Sequence, residues 1–147
     1  MDCAYCTAPE IEARTVAQNG LARAFLTNIP ITPGHILIVP VRHTAKFEDL
    51  TPDERTVLFA LAAEMKTALE RMFGAEGFNH AWNEGPVAGQ SIPHFHLHIV
   101  PRKHGDEGIT GYDPRKFLYR PGSRETTPED ELRNIATEIK ILLIPKE

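Results

Sequence analysis

Pro93-His94-Phe95-His96-Leu97-His98-Ile99-Val100-Pro101 alternates without a break: His94, His96, His98 and Val100 fall on one set of positions, Phe95, Leu97 and Ile99 on the other. A strand turns successive side chains to opposite faces, so this period of two predicts a strand over residues 93–101 with one apolar face and one histidine face. The three imidazoles then stand in a row, roughly 6.6–6.8 Å from one to the next. Of the seven histidines in the chain, five (His80, His94, His96, His98 and His104) lie within 25 consecutive positions.

The flanks complete a sheet. Residues 77–83 predict a strand, and the Gly/Pro-rich residues 84–90 a loop before the histidines. Upstream, His35-Ile36-Leu37-Ile38-Val39-Pro40 is a short apolar run suited to a buried strand. Asn19-Gly20 separates two β-compatible runs and predicts a hairpin, since both residues tolerate positive φ. Residues 28–34, with two prolines, form a turn-rich connection. Thr51-Pro52-Asp53-Glu54 starts a helix with a capping threonine, a proline at the first position and the glutamate of a capping box. Leu58, Leu61, Met65, Leu69 and Met72 continue it at helical spacing, and Gly74 is placed to end it. Thr127-Pro128 opens a second helix with Leu132, Ile135, Ile139 and Leu142 as its stripe. The order predicts an α+β fold: an antiparallel five-stranded sheet with helices on one side. One domain, 1–147, is expected, with a Cys-rich N-terminal loop (1–8), an irregular loop (103–127) and a C-terminal helix (128–144).

Composition fits that size. Apolar residues make up 41% of 147 and charged residues 24%, enough for a core without disulfide staples. A net charge of −4 argues against a nucleic-acid partner, which needs a dense Lys/Arg field. No apolar run approaches the ~20 residues of a membrane span, and Met1-Asp2-Cys3-Ala4-Tyr5-Cys6 lacks the basic and apolar regions of a secretion signal. A cytoplasmic protein without a membrane partner is expected.

Three chemistries suit the histidine row. It could be a solvated strand face. It could supply metal ligands, although spacing along one flat strand suits two better than three. It could carry nucleophilic chemistry at phosphorus, because a neutral imidazole is a competent nucleophile near pH 7 and its neighbours can orient it or move a proton. The preceding Gly85-Pro86-Val87-Ala88-Gly89-Gln90-Ser91 offers backbone N–H groups and two polar side chains, equipment for holding a phosphate.

His94-Phe95-His96-Leu97-His98-Ile99-Val100 resembles the signature of the histidine-triad (HIT) family, His-φ-His-φ-His-φ-φ with φ apolar. Ala88-Gly89-Gln90-Ser91, Pro101-Arg102 and the upstream Asn28, Pro33-Gly34-His35 and Val39-Pro40 fit as well, so the likeness runs from about Cys3 to Arg102. The resemblance implies a nucleotide hydrolase or transferase working through a covalent nucleotidyl-histidine on purine nucleotide conjugates such as nucleoside phosphoramidates or dinucleoside polyphosphates. It implies His96 as the nucleophile, with His98 at the phosphate and His94 completing the catalytic triad. Gln90 and Ser91, preceded by Gly89, would lie near the bridging atom and leaving group, Asn83 near the α-phosphate and Asn28 near the ribose. His35 would orient the triad, or would simply be a buried histidine opening a strand. Histidine rather than glutamine at position 98 resembles the hydrolase branch rather than the uridylyltransferases. Members are typically homodimers, and the same is expected here. The alternative is a nucleotide-binding or interaction module with little turnover; a metal-dependent hydrolase is a further rival.

Cys3-x-x-Cys6 supplies half of a tetrahedral zinc site; His43, at a strand end, and His94 are candidates for the other half. Zinc-containing members of the superfamily resemble this arrangement, which would make the metal structural, with no open coordination position. Idle thiols in an N-terminal tail are the other reading. Trp82 could stack on a base, but a single tryptophan in a strand is more often core. Arg102, Lys103, Arg115, Lys116, Arg120 and Arg124 suggest a solvated basic loop or a polyphosphate contact.

Overall fold

The computed structural model describes residues 3–106 and 126–144. Five strands, β1 (Thr15–Gln18), β2 (Ala22–Leu26), β3 (Ile36–Pro40), β4 (Gly77–Ala81) and β5 (Leu97–Arg102), form an antiparallel sheet in the order β1-β2-β3-β5-β4. Two long helices, α3 (Pro52–Phe73) and α4 (Glu129–Leu143), cover one face. Alternation explains the covering: Ala22, Ala24, Leu26, Ile36, Ile38, Phe95, Leu97 and Ile99 meet Leu58, Leu61, Met65, Leu69, Leu132, Ala136 and Ile139 in one core.

The opposite face carries Phe25, Leu37, Val39 and the histidines. It is covered too. Within the expected N-terminal loop (1–8), residues 4–7 form a short helix, α1 (Ala4–Thr7), and a second, α2 (Pro9–Arg14), follows it; together they set Ile11, Tyr5 and Ala8 against Phe25, Leu37 and Val39. Pro9 at the start of α2 and Thr7, whose hydroxyl donates to the Cys3 carbonyl, are the local causes, and burial of Ile11 holds the pair down.

Three further expectations change. The hairpin forms at Asn19-Gly20, but neither residue takes a positive φ. The Asn19 side chain accepts from the Leu21 and Ala22 N–H groups at 2.9 Å, so an Asx turn rather than left-handed backbone closes it. The strand predicted from residue 93 begins at Leu97, leaving His94 on a bend and His96 on irregular chain before it. Trp82 lies beyond the end of β4, not in a strand core. It is 36% exposed and stacks one face on Phe47 at 5.0 Å. In the basic cluster, Arg102 pairs with Asp106 and Lys103 caps the Phe73 carbonyl, while positions 115, 116, 120 and 124 lie outside the described residues.

At Gly34 (φ +90°) an added Cβ would fall 2.7 Å from the Phe73 ring, so only glycine lets the β2–β3 connection pass α3 and deliver His35 to the sheet. At the other end of α3 the capping box is complete. Thr51 Oγ1 accepts from the Glu54 N–H, Glu54 Oε1 accepts from the Thr51 N–H, and Gly74 ends the helix at φ 67°. Arg42 donates twice to the same buried carboxylate. The Arg42 guanidinium, followed by the Thr51 N–H, holds the Glu54 carboxyl below its ordinary range against the opposing effect of burial. A carboxylate depressed in the fold stabilises it above the unfolded-state pKa of ~4.3, and that stability fades as pH falls through the folded value. Glu54→Gln should therefore cost roughly 1–2 kcal/mol at pH 7. In urea titrations the gap to wild type should narrow below about pH 4; a gap independent of pH would remove the ionised carboxylate from the account.

Candidate active site

β5 pairs with β3 so that Leu37 stands opposite His98, and with β4 so that Ala81 does. The histidine face thus opens on the side of α1 and α2. His94, His96 and His98 are all buried there, so the row is not a solvated face. Each ring is fixed by a different partner, and the partners determine which nitrogen carries the proton.

His96, 4% exposed, places Nδ1 2.9 Å from the His94 carbonyl. A carbonyl can only accept, so Nδ1 holds the proton and Nε2 keeps the lone pair. Burial pushes the imidazole below its ordinary range, partly opposed by that hydrogen bond, and a neutral ring follows at neutral pH. His98 is reached from behind. The Ile31 N–H donates to His35 Nδ1, so His35 Nε2 carries hydrogen and donates to His98 Nδ1 at 2.9 Å. With Nδ1 accepting, the His98 proton lies on Nε2. His35 joins the triad by direct contact between the rings. A bare nitrogen on His96 and a protonated one on His98, with ring centres 5.1 Å apart, can act as nucleophile and proton donor.

His94 is oriented away from that role. Its Nε2 donates to the Pro40 carbonyl at 2.8 Å, leaving Nδ1 bare, 3.5 Å from both Cys3 Sγ and Cys6 Sγ. His43 Nδ1 is also 3.5 Å from Cys6 Sγ, and the four ligand atoms lie within 4.8 Å of one another. Bond lengths of ~2.3 Å to sulfur and ~2.0–2.1 Å to nitrogen put tetrahedral S···N edges at about 3.5 Å, so Cys3, Cys6, His43 and His94 could hold a metal ion. The Pro40 carbonyl is the outer partner that such a histidine ligand needs.

Part of the loop before the triad folds back on itself. The N–H groups of Ala88, Gly89 and Gln90 bond back to the Gly85 and Pro86 carbonyls, and that of Gly85 donates to Gln90 Oε1. A 3-10 turn at Pro86–Ala88, closed by Gly89 at φ 99°, uses these four donors. The Gln90 amide donates to the Ala45 carbonyl, so this buried side chain ties the loop to the 44–46 segment. Ser91 is exposed. Asn83 is 6% exposed, and its Nδ2 has no hydrogen-bond partner among the described residues, an unsatisfied buried donor that calls for an acceptor. Asn28 is half-buried, and its carbonyl is bonded by the Thr127 N–H, which straps the segment before α4 to the β2–β3 connection.

Two residues were not foreseen. Tyr5 packs edge-on against both His94 and His96, and its place between the two cysteines was the available signal. Buried Arg14 donates to the Leu26 and Glu10 carbonyls and meets Glu129, joining α2, β2 and α4; one arginine in a polar stretch carries no such signal.

A bis(5'-nucleosyl)-tetraphosphatase (asymmetrical) of Schizosaccharomyces pombe is 42% identical over 86 residues, 58% of this chain and 47% of that protein, so the chain spans about half that relative's length. An AP-4-A phosphorylase of Mycobacterium tuberculosis is 34% identical over 131 residues, 86% of this chain and 63% of that one. Among solved structures, a zinc-bound histidine triad family protein from Mycobacterium smegmatis aligns with a TM-score of 0.71 and 26% identity over 97% of this chain and 96% of that one. The family model of the HIT domain matches residues 8–105, and with the buried triad on β5 and its approach this chain belongs to the HIT domain family.

Proposed function

We propose that the protein is a hydrolase acting at the α-phosphorus of a purine nucleotide conjugate, a dinucleoside polyphosphate or a nucleoside phosphoramidate. One observation carries the reading: the buried, neutral His96 ring has its tautomer set by the Nδ1–H bond to the His94 carbonyl, with the Nε2 lone pair left for attack. Nε2 forms a bond to phosphorus as the bond to the leaving group breaks, and the proton on His98 Nε2 meets the developing negative charge. Water then displaces the imidazole and releases a nucleoside monophosphate; an acceptor other than water would make the same intermediate a transferase step. Asn83 Nδ2 donates to a phosphoryl oxygen, Ser91 stands by the leaving group, and Asn28 lies towards the ribose. Gln90 and Gly89 act by holding the loop. The names of the fission-yeast and mycobacterial relatives, both of which handle dinucleoside polyphosphates, support the substrate class.

Zinc is the metal suited to the Cys3, Cys6, His43 and His94 set. With four protein ligands it supplies structure, fixing α1 to the triad, and leaves His94 no acid–base part. A homodimer is included in the reading, supported by the edge strand β4 and the exposed Trp82 just beyond its end. A cytoplasmic protein with neither nucleic-acid nor membrane partners accords with the charge of −4, and no helix among the described residues is long and apolar enough to cross a membrane.

The test is a panel of adenosine and guanosine phosphoramidates and dinucleoside polyphosphates, with products identified. Turnover yielding a nucleoside monophosphate is the expected result. Tight nucleotide binding with no turnover on any member would instead favour a binding module. Light scattering on the same sample should give twice the 16.4 kDa chain mass, and a monomer at micromolar concentration would end the dimer proposal.

A further inference from the structure

His96 stands one residue ahead of β5, outside the ladders that pair Leu97–Ile99 with β3 and His98–Arg102 with β4. The sheet therefore does not pin its backbone as it pins that of His98. Its one ring hydrogen bond among the described residues, from Nδ1 to the carbonyl two residues back, fixes the tautomer but does not by itself set the plane of the imidazole. Something else must hold the plane of the ring.

That contact comes from α1. The Tyr5 ring meets His96 edge-on, with centres 5.2 Å apart and planes at 76°, and meets His94 the same way at 5.9 Å and 77°. Behind it, Tyr5 rests on Phe25 at 5.2 Å, a side chain with no exposure in the middle of β2. Edge-to-face aromatic pairs have a preferred geometry and are worth roughly 0.5–1.5 kcal/mol beyond area burial. His98 bounds the ring as well, with centres 5.1 Å apart. A rigid stack thus runs from the sheet through Phe25 and Tyr5 to the ring that presents the lone pair.

The geometry points to Tyr5 as a positioning residue for His96, acting through its ring and not its hydroxyl. This rests on the reading that His96 is the attacking group. A four-residue helix such as α1 has no stability of its own, so Tyr5 is delivered to His96 by packing on Phe25 and by Cys3 and Cys6, on either side of it, meeting His94. The residue between the two cysteines thereby links the metal-ligand cluster to the candidate nucleophile by packing alone.

Misplacement of a reacting group by about 1 Å can cost on the order of 10²-fold in rate. Tyr5→Ala and Tyr5→Leu should each lower kcat by roughly 10- to 100-fold with KM changed less than about threefold. Tyr5→Phe, which keeps the ring, should stay within about twofold of wild type. Long-range imidazole 1H–15N spectra supply the readout that general destabilisation would not move. Wild type and Tyr5→Phe should show His96 as one neutral ring protonated at Nδ1, whereas Tyr5→Leu should show averaged nitrogens at unchanged metal content. Full kcat with an undisturbed His96 signal in Tyr5→Leu would overturn the proposal. So would a Tyr5→Phe variant as slow as Tyr5→Ala, which would transfer the role to the hydroxyl, or a rate loss that tracks metal loss alone. His96→Ala assayed alongside separates the two readings: if it keeps its activity the nucleophile assignment fails, while the His96 spectra still report whether Tyr5 orders the ring.

Discussion

His96→Ala should lose at least four to five orders of magnitude in turnover, on the order of 5–7 kcal/mol of transition-state stabilisation. The size follows from the site. Every other imidazole in reach is engaged through the nitrogen it would need: His98 Nδ1 accepts from His35, and His94 Nδ1 faces the two cysteine sulfurs. No neighbouring lone pair can take over in line. His98→Ala should cost less, roughly 10²–10³-fold, the scale for removing one donor to a developing negative charge. The more discriminating result is stereochemical. Two displacements, each inverting at phosphorus, give net retention in the wild type, and a chiral α-phosphorothioate substrate opened in labelled water reads the outcome directly. Net inversion would mean direct attack by water, on a metal or free, and would remove His96 as nucleophile whatever its effect on rate.

Much of this arrangement was legible in the residues because it is made of side-chain patterns. The division of Phe95, Leu97 and Ile99 from His96 and His98 follows from a period of two, and the α3 boundaries follow from Thr51, Pro52, Glu54 and Gly74, whose roles are local. What escaped is made of backbone. The Pro40 and His94 carbonyls set the tautomers of His94 and His96, and a carbonyl has no identity in a sequence. The 85–91 loop was expected to offer N–H groups to a phosphate. Its glycines instead allow it to fold on itself, and nothing in Gly-Pro-Val-Ala-Gly tells an open nest from a closed turn. Residues 1–8 read as a loop since four to six residues are too few for a periodic signal, and long-range contacts with Phe25 and His94 hold residues 4–7 as a helix. Asn19-Gly20 marked the turn correctly for a different physical reason, as the asparagine side chain does the work expected of left-handed backbone.

The second large effect concerns the cysteines. Protein purified without chelators should contain about one zinc per chain, and Cys3→Ala or Cys6→Ala should lose it. A metal present at a thousandfold over its Kd stabilises the native state by about 4 kcal/mol, which for a domain of this size corresponds to a Tm lowered by roughly 10 °C in the variants. Cys3, buried against His94, leaves an unfilled site on the sheet when truncated, whereas Cys6 is exposed and its loss removes little packing. A similar fall in Tm for both therefore reports the metal, and a fall for Cys3→Ala alone reports burial. Wild-type protein stripped of metal separates the causes again, since its packing atoms are all present; it should match Cys6→Ala in Tm and recover when zinc is returned. Elemental analysis finding no metal in untreated protein, with Cys6→Ala melting like wild type, would reduce the pair to ordinary thiols. The consequence for chemistry is then indirect: with four protein ligands the ion has no coordination position for substrate, so its loss acts on rate only by freeing α1, and through it Tyr5, from the ring of His96.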